Sequence, residues 1–279
     1  MKSVLNITLA LLAAWLLSGC SAVRIAYDNA DVYLRWRAGD YFDVQGTTAD
    51  DLDDRIEDFL HWHRKNALPK YARIAEDAAK RMVRGLAPED LAWGYDVVLA
   101  EARESLQAAA ERIAPFLDGL TSEQIARLEK RFAEDNRKFA REHLRGSEAE
   151  RKKRRAKRNA ERLEDWVGKL SRAQLERVRQ YSERAPLFDE LRDRDRKRLQ
   201  AELLAMVRAR ETAKRLPERA AHWDKGRDAA YSAALDAWRK EFNAMLLDID
   251  RTLSAEQRAR VVANLRRYAE DFTVLASRQ

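Results

Sequence analysis

The chain has 279 residues, room for one large domain or two small ones, and its 54 Lys and Arg against 47 Asp and Glu give a formal charge of +7. Nine glycines, five prolines and 36% charged residues argue against an all-β fold and against disordered or collagenous chains. A single cysteine excludes an intramolecular disulfide framework and a thiolate-rich zinc site.

Met1 and Lys2 open a short positive segment, followed by an apolar run from Val4 to Leu17. That run is too short and too abruptly ended to span a bilayer, so it reads as a secretory leader over 1–19. Leu17, Ser18 and Gly19 directly before Cys20 match the bacterial lipobox, with the one cysteine where a diacylglycerol is attached. Acylated Cys20 would tether the mature protein to a lipid bilayer. Ser21 stands where an Asp would resemble an inner-membrane retention signal, which points to the outer membrane, facing the periplasm.

The segment 20–46 carries Tyr27, Tyr33, Trp36, Tyr41 and Phe42 within sixteen residues. The expectation is that it docks back on the body and ties down the terminus; the membrane interface or a partner is the alternative. From 47 to 279 the periodicity is helical throughout. Leu52, Ile56, Phe59 and His63 mark one apolar stripe, and Pro69 after Leu68 reads as a turn into the next helix. Leu91, Tyr95, Val98, Ala102, Leu106, Ala109, Ile113 and Phe116 mark a long one, followed by segments 125–144, 163–185 and 191–207. Tyr231 to Ile249 and Val261 to Leu275 complete the set. Gly46, Gly85, Gly119, Gly146 and Gly168 each precede a helix start, and Pro88 and Pro217 suit first-turn positions. The expectation is an all-α, elongated antiparallel bundle of seven to nine helices.

Leu120-Thr-Ser-Glu-Gln124, Leu170-Ser-Arg-Ala-Gln174 and Leu253-Ser-Ala-Glu-Gln257 share one form. Thr121, Ser171 and Ser254 act as helix caps, and Gln124, Gln174 and Gln257 reach back to complete capping boxes. Leu120 can staple onto Ile125, and Leu170 onto Leu175. Leu86-Ala-Pro-Glu-Asp90 is a degenerate copy without the hydroxyl.

Candidate chemistry is sparse. His61 and His63 flank Trp62, but two residues apart on a helix they point about 200° apart and cannot share an ion unaided. The expected roles are packing for Trp62 and hydrogen bonding near a helix end for His63 and Arg64. His143 and His222 are isolated. The sequence has no G-x-S-x-G elbow, HExxH or phosphate-cradling glycine loop, so no catalytic residue, metal ligand or cofactor is assigned. Carboxylates alternate with Lys and Arg, as from Asp189 to Arg198, which suits solvated ion pairs.

The positive excess is local. Between Arg145 and Arg162 there are nine Lys or Arg against three Glu, and Ser147 with Glu150 forms a capping box that makes the run a helix. Arg151, Lys152, Lys153, Arg154, Arg155, Lys157 and Arg158 are the candidate contact for an anionic partner. Outside the cytoplasm, anionic lipid or an acidic envelope protein replaces nucleic acid as the reachable partner.

The lipobox, Tyr27-Asp-Asn-Ala-Asp31 with Leu34 and Trp36, Asp40-Tyr41, Trp62-His63-Arg64, Leu68-Pro69-x-Tyr71-Ala72 and Trp166-Val-Gly168 together resemble an uncharacterised family of proteobacterial lipoproteins, a domain of unknown function. The resemblance implies an envelope location and a structural role for Trp62, His63, Arg64, Leu68, Pro69 and Tyr71, and it transfers no activity. The repeated Leu-[Thr/Ser]-x-x-Gln form is similar to the LTxxQ motif of the periplasmic Spy and CpxP chaperones. The functional expectation is a non-catalytic scaffold or accessory binding protein of the cell envelope. A Spy-like client cradle is the alternative, and a cell-wall enzyme comes third.

Overall fold

The computed structural model describes residues 22–278, so the leader, the lipobox and Cys20 lie outside the described residues. Among the described residues there are twelve α-helices and no strand. They are α1 (Ala22–Asp28), α2 (Ala30–Phe42), α3 (Thr47–Trp62), α4 (Leu68–Arg84), α5 (Pro88–Asp118) and α6 (Ser122–Phe139), then α7 (Glu148–Val167), α8 (Arg172–Arg184), α9 (Asp189–Ala209), α10 (Thr212–Ala221), α11 (Ala229–Arg251) and α12 (Ala255–Ala276). One π turn, His63–Ala67, joins α3 to α4, and another, Ala140–Leu144, extends α6. The result is eleven continuous rods rather than seven to nine.

Three local causes account for the difference. The aromatic segment, read as a tether, folds into α1 and α2. Residues 163–185, taken as one segment, divide where Gly168 and the Ser171 cap mark a helix start, and the φ of 79° at Gly168 suits glycine. The third cause is α10, which carries Pro217 at its sixth position rather than in its first turn. Its N-terminus is capped in trans instead: the Asp118 carboxylate accepts the Thr212 N–H at 2.8 Å and the Ala213 N–H at 3.0 Å.

Leu68 and Pro69 do not form a turn. A proline lacks the N–H for the i to i−4 ladder and clashes with the preceding carbonyl. The chain passes it by widening one turn, with the Leu68 N–H donating to the His63 carbonyl five residues back. His63 and Arg64 therefore sit inside a rod running from 47 to 84.

Helices pack mainly in pairs: α4 along α12, α10 on α5, α7 on α8, α3 on α5 and α11 on α8. One core gathers Leu52, Ile56 and Leu60 of α3 with Phe116, Leu117, Leu120 and Val207. A second gathers Val178 and Tyr181 of α8 with Met245 and Ile249 of α11, and it borders a third made by Val167, Leu170 and Val261. Leu120 and Leu170 are thus core residues at capped turns. Ile125 joins Leu120 in the first core, as the staple requires, whereas Leu175 stays 43% exposed while Leu170 packs on Val167 and Val261.

The N-terminal helices dock on the body. Arg24 pairs with Asp271 at 2.6 Å, Arg35 with Glu57 at 2.7 Å, and Tyr41 donates to Asp135. Tyr33 and Trp36 nevertheless face solvent.

Candidate functional site

The basic run forms α7 as its caps demand: Ser147 Oγ accepts the Glu150 N–H, and the Glu150 carboxylate accepts the Ser147 N–H at 2.8 Å. The fold then divides its cations. Arg155 turns inward and donates to the carbonyls of Ser182 and Ala185 at 2.6 Å and of Pro186 at 2.8 Å. Those groups end α8, so Arg155 caps that helix from a neighbour and places a cation at the negative end of its dipole. Burial pulls the guanidinium below its ordinary value, partly offset by Tyr181, Asp189 and Glu183. Arg151 pairs with Glu190 and, at 3.2 Å, with Asp189. Lys152 bonds Glu148 at 2.6 Å, Lys157 reaches Glu161 at 3.8 Å, and Arg154 donates to the Arg145 carbonyl.

Arg158 and Arg162 differ from these. Among the described residues neither has an ion-pair or hydrogen-bond partner, and both line a cleft of about 190 Å³ between α7, the end of α6 and the start of α9. Arg151, Arg154, Arg155 and Arg192 complete its cationic wall, with the His143 ring beside them and Glu142 and Asp189 as the carboxylates. The second π turn places His143 there, its ring 4.5 Å from Phe139, and Arg192 lies over the same phenyl at 5.4 Å. Burial first, then Arg192 and Arg158, lower the His143 pKa against the opposing pull of Asp189 and Glu142. A neutral imidazole beside unpartnered guanidiniums is a surface prepared for an anion, since a planar fork binds carboxylate or phosphate in bidentate fashion. Lys152, Lys153 and Lys157 do not line the cleft, so the candidate contact set is narrower than the basic run.

The family-signature residues pack around the α3–α4 junction, but Arg64, expected to hydrogen-bond near a helix end, makes no side-chain hydrogen bond among the described residues and its Nε is buried without a partner. His63 is half-buried, with Nδ1 3.0 Å from the Tyr27 hydroxyl and its ring against Phe59 and Tyr71. Burial lowers its pKa and pushes the Tyr27 phenol up to about 12, so both are neutral. Trp62 stacks on Phe59 with the Arg112 guanidinium 5.6 Å from its ring centre, and Leu68 is 1% exposed. Tyr71 bonds Ser105 at 3.0 Å. His61 is exposed, and among the described residues no group of three or more His, Cys, Asp or Glu is placed to hold a metal.

All three capping boxes form, and two of them are joined. Gln174 Nε2 donates to Gln257 Oε1 at 3.0 Å, and Gln257 Nε2 lies 3.2 Å from Gln174 Oε1. Gln174 also reaches the Thr252 carbonyl, and Gln257 the Lys169 carbonyl. Gln124 closes its own box on Thr121 alone. At the degenerate copy, Asp90 accepts the Ala87 N–H at 2.8 Å, giving half a box.

Sequence reading missed His143 and Arg192 because the fold alone brings them to α7. The four-residue spacing of Arg154, Arg158, Arg162 and Trp166 was the available signal for the rest. Fold and cleft together define an all-α protein with an arginine-lined cleft. The chain belongs to a family of unknown function (DUF6279), whose model matches residues 40–224, from within α2 to just past α10 and including the whole cleft. Comparison with curated proteins and with solved structures gives no match.

Proposed function

We propose that this protein is a non-catalytic binding component of the bacterial cell envelope, held on the outer membrane by an acylated Cys20 and engaging an anionic partner through the cleft on α7. The observation that carries the reading is the pair Arg158 and Arg162: cations without partners among the described residues, in a concavity where Arg151, Arg154 and Arg155 are committed to carboxylates or carbonyls. Leaving two guanidiniums free to exchange water for a ligand oxygen is how a surface recognises carboxylate or phosphate. The lipobox supplies the location.

Crosslinking in intact cells with a photoreactive residue at Asn159 tests the contact. A discrete adduct that disappears in Arg158→Gln/Arg162→Gln supports the reading, and an unchanged adduct pattern removes it. For the anchor, Cys20→Ser is expected to move the protein from the membrane to the soluble fraction and to abolish palmitate labelling.

A client-binding cradle is the second reading, favoured by the apolar surface of α5, where Tyr95, Val98 and Leu106 are exposed. It requires suppression of aggregation of a reduced, unfolded substrate, and no effect at several-fold excess eliminates it.

A further inference from the structure

Three concavities meet along one face of α7. The arginine cleft shares Asn159 and Arg162 with an apolar cavity of about 480 Å³, and that cavity shares Trp166 with a second apolar cavity of about 520 Å³. Arg154, Arg158, Arg162 and Trp166 recur every four residues, so they form one ridge that winds about 120° around the helix. Its length is about 18 Å at roughly 1.5 Å per residue.

The first apolar cavity lies between α7 and α11, walled by Leu163, Trp238, Phe242 and Leu246. The second lies between α4, α5 and α12. Ala75, Ala78, Gly94 and Ala102 keep it open by presenting little side chain. Tyr71, Trp93, Tyr268 and Phe272 form its walls, and Glu101 is the only carboxylate among the lining residues. Val98 is 61% and Trp166 37% exposed, so this apolar lining faces solvent in the described residues. Each cavity has the size of a small-molecule site, about 300–1,000 Å³.

The combination selects its occupant through charge complementarity. A purely apolar peptide in the two cavities leaves Arg158 and Arg162 unpaired, and a small free anion in the cleft leaves both cavities to water. A molecule with an anionic head and a long acyl chain satisfies both ends. We propose that the α7 face is a binding site for an anionic amphiphile, with the headgroup between Arg154, Arg158, Arg162 and Arg192 and the acyl chain running past Leu163 and Trp166 toward Gly94. This rests on the anion-binding role proposed above and adds the tail and its path.

The test titrates the full chain with lysophosphatidylglycerol brominated on its acyl chain, below its micellar concentration, and reads quenching of tryptophan fluorescence. Glycerol 3-phosphate, which carries no quencher and is followed by titration calorimetry, supplies the head alone, and the equally brominated lysophosphatidylcholine supplies the same tail on a zwitterionic head. The expected result is binding of lysophosphatidylglycerol at least tenfold tighter than either. Arg158→Gln/Arg162→Gln should weaken lysophosphatidylglycerol and glycerol 3-phosphate alike, by tenfold or more. Gly94→Leu should weaken only the lipid: no atom lies within 4 Å of a Cβ built there, so the leucine fills open groove. Ala102→Leu is the second groove-filling variant, and the unfolding midpoint of each confirms that it folds. Glycerol 3-phosphate binding as tightly as the lipid, or lipid affinity and quenching unchanged in both groove-filling variants, overturns the acyl path and leaves the anion site standing. Equal affinity for the anionic and zwitterionic lipids, with no binding of glycerol 3-phosphate, overturns the arginine headgroup site itself.

Discussion

Along one face of α7, Arg151 and Arg155 make up an inner row and Arg158 and Arg162, further along the same face, an outer one, and all four are the same residue type within about three turns. The first row is consumed by structure: two carboxylates hold Arg151, and three main-chain carbonyls hold Arg155. The second row touches no partner among the described residues and lines a cleft. A run of positive charge is therefore not one object. Its members separate into helix caps and ligand groups according to whether the neighbouring helix ends beside them. The glutamines repeat the contrast, with Gln174 and Gln257 clasped to each other while Gln124 serves only its own box.

If the division is real, substitutions should fall into two groups. The largest effect is expected for Arg155→Ala, which orphans the carbonyls at the end of α8 and should cost about 2–4 kcal/mol in chemical denaturation. A cost below that of a surface substitution would erase the distinction between the rows. Gln174→Ala comes next, at about 1–2 kcal/mol, because it breaks a cap and a contact between helices, against about 0.5–1 kcal/mol for Gln124→Ala. Equal costs would show that the joint adds nothing to the box.

Third is the pH response of His63. Burial holds its folded pKa below the ordinary value, so acidification protonates the unfolded chain first. Stability from this group is full above the ordinary histidine pKa and is lost as pH falls toward the folded one. Denaturation midpoints measured from pH 7.5 down to 5 should fall, and less steeply in His63→Phe. The smallest stability effect is expected for Arg158→Gln/Arg162→Gln, within about 0.5 kcal/mol of the parent. A larger loss would place the outer row with the inner one.

Much of the fold is written locally. Thr121, Ser171 and Ser254 with their glutamines announce three helix starts, and Ser147 with Glu150 announces a fourth, because a capping box is complete within four residues. Pro217 and Pro69 misled for a common reason. Each was weighed by its own preference, whereas α10 starts on Asp118, ninety-four residues away in sequence, and the α3–α4 junction keeps its proline by widening one turn. The cleft is half legible: the spacing from Arg154 to Trp166 lies on one helix, but Arg192 and His143 join it only through packing. Nothing local distinguishes Arg155 from Arg158, because the difference lies in where α8 stops.

The widened turn at 63–67 behaves like a one-letter insertion in a repeating text. Each residue of an α-helix advances about 100° around its axis, so one extra residue rotates everything downstream by that angle. Residues 47–62 face α2 and α5, whereas 68–84 face α12. One uninterrupted rod thereby serves two separate cores. Deleting a single residue inside the turn would bring the two faces back into phase and set the groove-lining side of α4 against the wrong neighbour.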